Sequence, residues 1–228
     1  MGGVAFVITT IFPVYTLAYL PVKDFRPFAI GENIQRNMEL QEGEEPPLYT
    51  VDYTMKSIST GEESVVSAIQ YMEQEVWKNT DLEIVSTGEQ YLFKDGVVPP
   101  IHDFVLESMT DGEDYTYSIL SEQNALLWIM YDLSQSNAEA QKVVKQISEA
   151  AMEDGVPVFV LTASNFEEAE NFKQMHSLNV NMYTCDATTL KTVIRSNPGL
   201  VIINEGTVAN KYPFRSLNGF DDIIKDLK

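Results

Sequence analysis

From residue 124 onward the apolar positions change period in a regular way. NALLWIMY (124–131) is a continuous apolar run between polar neighbours, which predicts a strand covered on both faces. Ala140, Val143, Val144, Ile147, Ala150 and Ala151 then recur at helical spacing up to Gly155, with Ser136 and Glu139 placed as a capping box. VPVFVLTA (156–163) predicts a second buried strand. Asn165, three residues before Glu168, predicts the cap of a helix whose inward face is Phe166, Ala169 and Phe172. NMYTC (181–185) predicts a short strand, Asp186 the cap of a helix over TTLKTVIRS, and GFDDIIKDL (219–227) an amphipathic closing helix. Between these last two helices, Leu200–Ile203, the Glu205-Gly206 turn and Thr207–Tyr212 predict a β-hairpin. Pro198 has no N–H for a ladder, so it fits the start of the hairpin, where a cis Asn197-Pro198 bond is accessible. Strand, helix, strand, helix, short strand, helix, hairpin, helix is the order of an α/β domain with a mixed sheet flanked by helices.

Upstream the period is two. Tyr49, Val51, Tyr53 and Met55 alternate with polar residues, STGEE supplies a turn into VVSAI, and LEIVS and YLFKDG add two strands. This predicts a small β-rich module at 49–96, with 71–80 left open between short helix and loop. Pro27, Pro46 and Pro47 around the acidic QEGEEPP predict a linker over 23–48. Residues 2–22 carry no charge, and a helix of that length spans a hydrocarbon core of about 30 Å. They predict a transmembrane helix at 1–22, with Pro13 a tolerated kink and Tyr15 and Tyr19 suited to the interface; a buried core helix is the alternative. Lys23 and Arg26 follow the run and nothing basic precedes it, a bias that favours a cytoplasmic C-terminal side.

Charge and cysteine count then narrow the chemistry. A formal net charge of -19 over 228 residues repels phosphates and argues against a nucleic-acid partner. One cysteine, Cys185, excludes an intramolecular disulfide, and His102 and His176 with it do not make a Cys/His zinc site. No metal or cofactor is expected. EGEE and DGED lack the alternating oxygen ligands of a calcium loop, and no P-loop, dinucleotide or G-x-S-x-G element occurs. Cys185, just before a helix cap, reads either as a buried small hydrophobe or as a thiol activated by the helix N-terminus.

VVPPIHDFVLES (97–108) and SNPGLVIINEGTV (196–208) resemble the entry segment and the cis-proline hairpin of the thioredoxin fold in its peroxiredoxin and TlpA-like form. The resemblance covers 97–228 and implies that the redox cysteines would stand in YDLSQSNAE (131–139), where there are none. YLPVKDFRPFAIGENI (19–34), VPPIHDF (98–104) and TLKTVIRSNPGLVI (189–202) are similar to membrane proteins of the DoxX/MauE-like group, whose membrane helices precede an extracytoplasmic thioredoxin-like domain lacking CxxC. That resemblance implies a last membrane helix plus a periplasmic domain at the bacterial inner membrane, against the Lys23 and Arg26 bias. It makes Tyr131, Asp132 and Ser134 the old redox position, faced by Asn197 and Pro198. Such a patch can bind an extended peptide through backbone hydrogen bonds. The rival expectation is a one-cysteine thiol peroxidase or reductase using Cys185 with a partner's thiol.

Overall fold

The structure, a computed structural model, describes residues 24–136 and 138–227. The predicted membrane helix lies outside them. Among the described residues no helix is long and apolar enough to cross a membrane. The chain divides into two compact units, residues 40–99 and the remainder.

The first described residues are not the linker that the prolines predicted. Helix α1 (Ile34–Asn37) is capped by Asn33, whose Oδ1 accepts from the Arg36 N–H at 2.9 Å. Phe28 and Ile34 are buried in the core of the larger unit, with the Phe28 ring 5.5 Å from that of Phe104. Apolar burial outweighs the proline signal here, so this stretch belongs to the larger unit.

Residues 40–99 form the β-rich module. Strands β1 (Leu48–Thr50), β2 (Asp52–Ser57) and β3 (Glu63–Ser67) lead into α2 (Ala68–Glu73), and β4 (Leu82–Thr87) and β5 (Tyr91–Lys94) follow. They make a three-stranded antiparallel sheet, β3-β2-β4, and a two-stranded ribbon, β1-β5. The stretch left open at 71–80 contains the end of α2 and a 3-10 turn at Val76–Lys78. A Cβ on Gly96 would stand 2.2 Å from the Pro46 carbonyl carbon, so the two ends of the module approach closely only because that residue is glycine.

The larger unit continues with β6 (Glu107–Ser108), α3 (Thr116–Leu120), β7 (Ala125–Ile129), α4 (Ala138–Glu153), β8 (Val158–Thr162), α5 (Phe166–His176), β9 (Asn181–Thr184), α6 (Ala187–Val193), β10 (Gly199–Asn204) and β11 (Thr207–Pro213). The sheet order is β11-β10-β7-β8-β9-β6, with β7, β8 and β9 parallel and the other pairings antiparallel. Parallel central strands, helical crossovers and a terminal hairpin opened by a cis Asn197-Pro198 bond make this a thioredoxin-like fold. Alternate residues of β7 feed two cores. Leu127 and Ile129 pack with Leu161, Val201 and Leu190, while Leu126 and Trp128 pack with Val160, Ile202 and the inward face of α4. The buried Trp128 indole donates to the Ser148 hydroxyl at 3.1 Å.

Caps follow the sequence at two helices. Asn165 and Glu168 form a capping box, and the Asp186 carboxylate accepts from the Thr188 and Thr189 N–H groups at 2.7 and 2.9 Å. Ser136 receives the Gln141 side-chain amide. Two elements differ. The entry segment around Phe104 forms no strand; Leu106 N–H donates to the Thr116 hydroxyl at 2.8 Å, and only Glu107–Ser108 joins the sheet. The closing segment winds as 3-10 turns at Phe220–Asp222 and Ile224–Leu227, in which the Asp222 carboxylate accepts from the Asn218 N–H at 2.8 Å, and not as an α-helix.

Candidate functional site

Register brings the site together. In the antiparallel pair β7-β10, Ile129 lies opposite Gly199, so residues leaving β7 meet residues entering β10 at the same end of the sheet. Asn197 Nδ2 donates to the Asp132 main-chain oxygen at 2.7 Å. The Tyr131 hydroxyl donates to the Arg195 carbonyl at 3.1 Å. Ser134 donates to Asp132 Oδ1 at 2.6 Å, and Pro198 O accepts from the Ser196 hydroxyl at 2.6 Å. Tyr131, Asp132, Ser134, Asn197 and Pro198 therefore form one contiguous patch.

Electrostatics fix its state. The Ser134 hydroxyl bond, with help from Gln135, holds the Asp132 carboxyl below its ordinary range, so it is ionised at neutral pH. Burial, reinforced by the Asp132 charge, pushes the Tyr131 phenol up and keeps it neutral. Asn197 Oδ1 is buried without a hydrogen-bond partner.

Sequence reasoning missed the residues that complete this arrangement. Gln135 Nε2 donates to Asp132 Oδ2 at 2.6 Å, Ser164 receives the Leu133 N–H at 3.2 Å, and the Lys191 ammonium lies 5.2 Å from the centre of the Tyr131 ring. Gln135 was adjacent to the predicted residues; Ser164 and Lys191 arrive from other crossovers and carry no local signal. Beside Ser134 opens a groove of about 390 Å³ between the 133–136 loop and α5, with Leu133, Phe172 and Met175 as its apolar lining.

Of the remaining candidates, His102 is exposed, and His176, which ends α5, lines the groove beside Ser134 with its ring 4.5 Å from that of Phe172. Cys185 is 6% exposed, in the core on the α6 side of the sheet, and its N–H donates to Thr162 O at 2.9 Å. Burial pushes its thiol up to about 12, overcoming the lowering effect of the Val105 and Asp186 backbone hydrogen bonds. The activating effect expected of the α6 N-terminus is outweighed by desolvation, because Asp186 already occupies the first N–H groups of that helix. Among the described residues no cluster of His, Cys, Asp or Glu is arranged to hold a metal ion. The patch offers hydroxyls, an amide, a carboxylate and backbone groups: hydrogen-bonding chemistry without a nucleophilic thiol.

Neither protein-family descriptions nor curated proteins give a match to this sequence. Solved structures do. A secreted Mycobacterium tuberculosis disulfide oxidoreductase homologous to Escherichia coli DsbE is 12% identical over 55% of this chain and 94% of that one, with a TM-score of 0.44. A thioredoxin-like protein from Aeropyrum pernix is 16% identical over 54% and 88%, with a TM-score of 0.44. The exposed lipoprotein thioredoxin Etrx1 from Streptococcus pneumoniae is 21% identical over 55% and 97%, with a TM-score of 0.42.

Proposed function

We propose that this chain is a membrane-anchored, redox-inactive thioredoxin-like domain of the cell envelope, with a binding or assembly role in a DoxX-like membrane protein. The apolar stretch 2–22 is the anchor, and the domain lies in the periplasm. The patch of Tyr131, Asp132, Ser134, Asn197 and Pro198 takes an extended peptide. The observation that carries the reading is the thiol-free loop after β7, tied by the Asn197 amide to the loop before β10 and bordered by the apolar groove beside Ser134. The groove beside Ser134 has room for one apolar side chain. The burial of Cys185 weighs against the thiol-peroxidase alternative.

The test is selection of extended peptides on the full chain, repeated with Ser134→Trp, which fills the groove mouth, and Pro198→Ala. Peptides that bind the native chain and neither variant support the patch. Disulfide reduction or peroxide consumption that vanishes in Cys185→Ser would overturn redox inactivity.

A further inference from the structure

Charge is distributed unevenly around the groove beside Ser134. Leu133, Phe172 and Met175 line it with apolar surface, and Met175 is 76% exposed. A flexible thioether in such a position adapts to side chains of different shape. Three carboxylates stand in or next to the lining. Glu168 lines the groove; one of its oxygens accepts from the Asn165 N–H at 3.3 Å, and the other has no partner among the described residues. Glu167, the preceding residue in the first turn of α5, is exposed and makes no hydrogen bond or ion pair among the described residues. The Asp132 carboxylate is one 2.6 Å hydrogen bond from the Ser134 hydroxyl, and because Ser134 and Gln135 are neutral donors its charge is uncompensated. The N-terminus of α5 offsets about half of one elementary charge, which leaves the field negative.

Cations are held elsewhere. No lysine or arginine stands among the lining residues. Lys173 pairs with Glu170 at 3.0 Å, and Lys142 and Lys145 line a separate cleft with Glu149 and Glu153. Lys191, on α6, lies against Tyr131, which packs on the core of the α6 side, whereas Leu133 and Phe172 belong to the core of the α4 side. Lys191 and the groove are therefore on opposite faces of the sheet. At physiological salt fields decay over about 8 Å, so the carboxylates beside the groove dominate what a ligand there experiences.

We propose that the groove takes a large apolar side chain of an extended peptide that carries lysine or arginine two positions away, so that the candidate site selects basic-apolar segments over acidic ones. In an extended chain, side chains two positions apart share a face and lie about 7 Å from each other, within reach of carboxylates at the groove border when the apolar one is seated. This deepens the peptide-binding reading above and rests on it.

The test uses the full chain and three dye-labelled peptides, Ser-Lys-Ser-Leu-Ser-Lys-Ser and its counterparts with glutamine or glutamate in place of both lysines, read by fluorescence anisotropy. The lysine peptide is expected to bind about tenfold more tightly than the glutamate peptide, with glutamine between them. Glu167→Gln combined with Glu168→Gln should narrow that ratio to about twofold, and glutamine at 168 preserves the capping box. Glu149→Gln combined with Glu153→Gln removes two charges about three turns along α4 and should leave the preference intact. Replacing the peptide leucine by alanine, or Ser134→Trp in the protein, should abolish binding. A preference that the α4 pair reduces as much as the α5 pair comes from the net charge of -19 and overturns the proposal. Equal binding of all three peptides, lost in Ser134→Trp, overturns the charge selection and leaves the peptide site standing. Binding of none of them up to about 1 mM removes both.

Discussion

Asn197 ties the cis-proline loop to the loop after β7 through a single 2.7 Å bond to the Asp132 carbonyl. Asn197→Ala removes that bond and is expected to cost about 1 kcal/mol in denaturant unfolding. Asn197→Asp should cost more near neutral pH, because it sets a partly buried carboxylate against a carbonyl oxygen. That environment raises the folded-state pKa of the introduced acid, so its penalty shrinks as pH falls and the carboxyl protonates. Equal stability of Asn197→Asp at pH 4 and pH 7 would show that the bond does not govern the loop contact.

The partners in that bond were readable as residues but not as a bond. The hairpin, the cis-capable Pro198 and the buried run of β7 each carry a local pattern, and together they place Asn197 opposite the residues that follow β7. The inward packing of Phe28 and Ile34 was not readable, because prolines and acidic residues dominate their neighbourhood and the aromatic partner, Phe104, lies far along the chain. The closing segment misled for a different reason. Its apolar spacing suits a helix, yet Gly219 and the Asp222 hydrogen bonds to the Asn218 and Gly219 N–H groups favour tight turns. Cys185 sits at a helix start in both views; only its burial decides its reactivity.

Cys185 should behave as an inert thiol. Raised to about 12 by burial, it carries about three orders of magnitude less thiolate at pH 8 than a free thiol of pKa about 8.5. Native-state alkylation is therefore expected to be slow and to accelerate sharply when the chain is unfolded. Cys185→Ala should cost about 1 kcal/mol and Cys185→Ser about 2, since the serine buries a hydroxyl. Rapid stoichiometric labelling of the folded chain, with no change in its unfolding transition, would return Cys185 to the candidate catalytic residues.

The Asp24 cluster predicts an acid-sensitive clamp between Asp24, Arg26 and the buried Lys211. Partial burial alone would raise this carboxyl, but the Arg26 hydrogen bonds and the Lys211 charge outweigh it and lower the pKa from 3.8 to about 2. A depressed folded-state pKa contributes stability that is complete above the unfolded value and lost as pH falls through the folded one, here between about pH 4 and 2. Asp24→Asn should abolish that segment of the pH–stability curve and cost about 3 kcal/mol at neutral pH, because Lys211 is left buried without a countercharge. Lys211→Met should cost less, since Asp24 keeps Arg26. The comparison is made by urea unfolding from pH 2 to 7; parallel curves for Asp24→Asn and the native chain would exclude the ion pair as the clamp.

Gly199 sets how closely the strand after Pro198 can pass the end of α6. A Cβ there would lie 2.8 and 2.9 Å from Ile194 Cδ1 and Cγ2 and 3.0 Å from Ser196 O. Ile194 is fully buried and branched at Cβ, so it cannot swing away, and the Ser196 carbonyl belongs to the cis-proline loop itself. Gly199→Ala is therefore expected to lose about 1–3 kcal/mol through overpacking. Because the displaced carbonyl belongs to Ser196, the residue before Asn197, it should also weaken peptide binding at the patch. Gly219→Ala is the control within the same unit: its extended backbone accepts any residue, and the nearest atom to an added Cβ is the flexible Gln146 amide at 3.7 Å. Thermal unfolding of the two variants side by side checks the argument, and a Gly199→Ala midpoint no lower than that of Gly219→Ala would show that the loop has slack to spare.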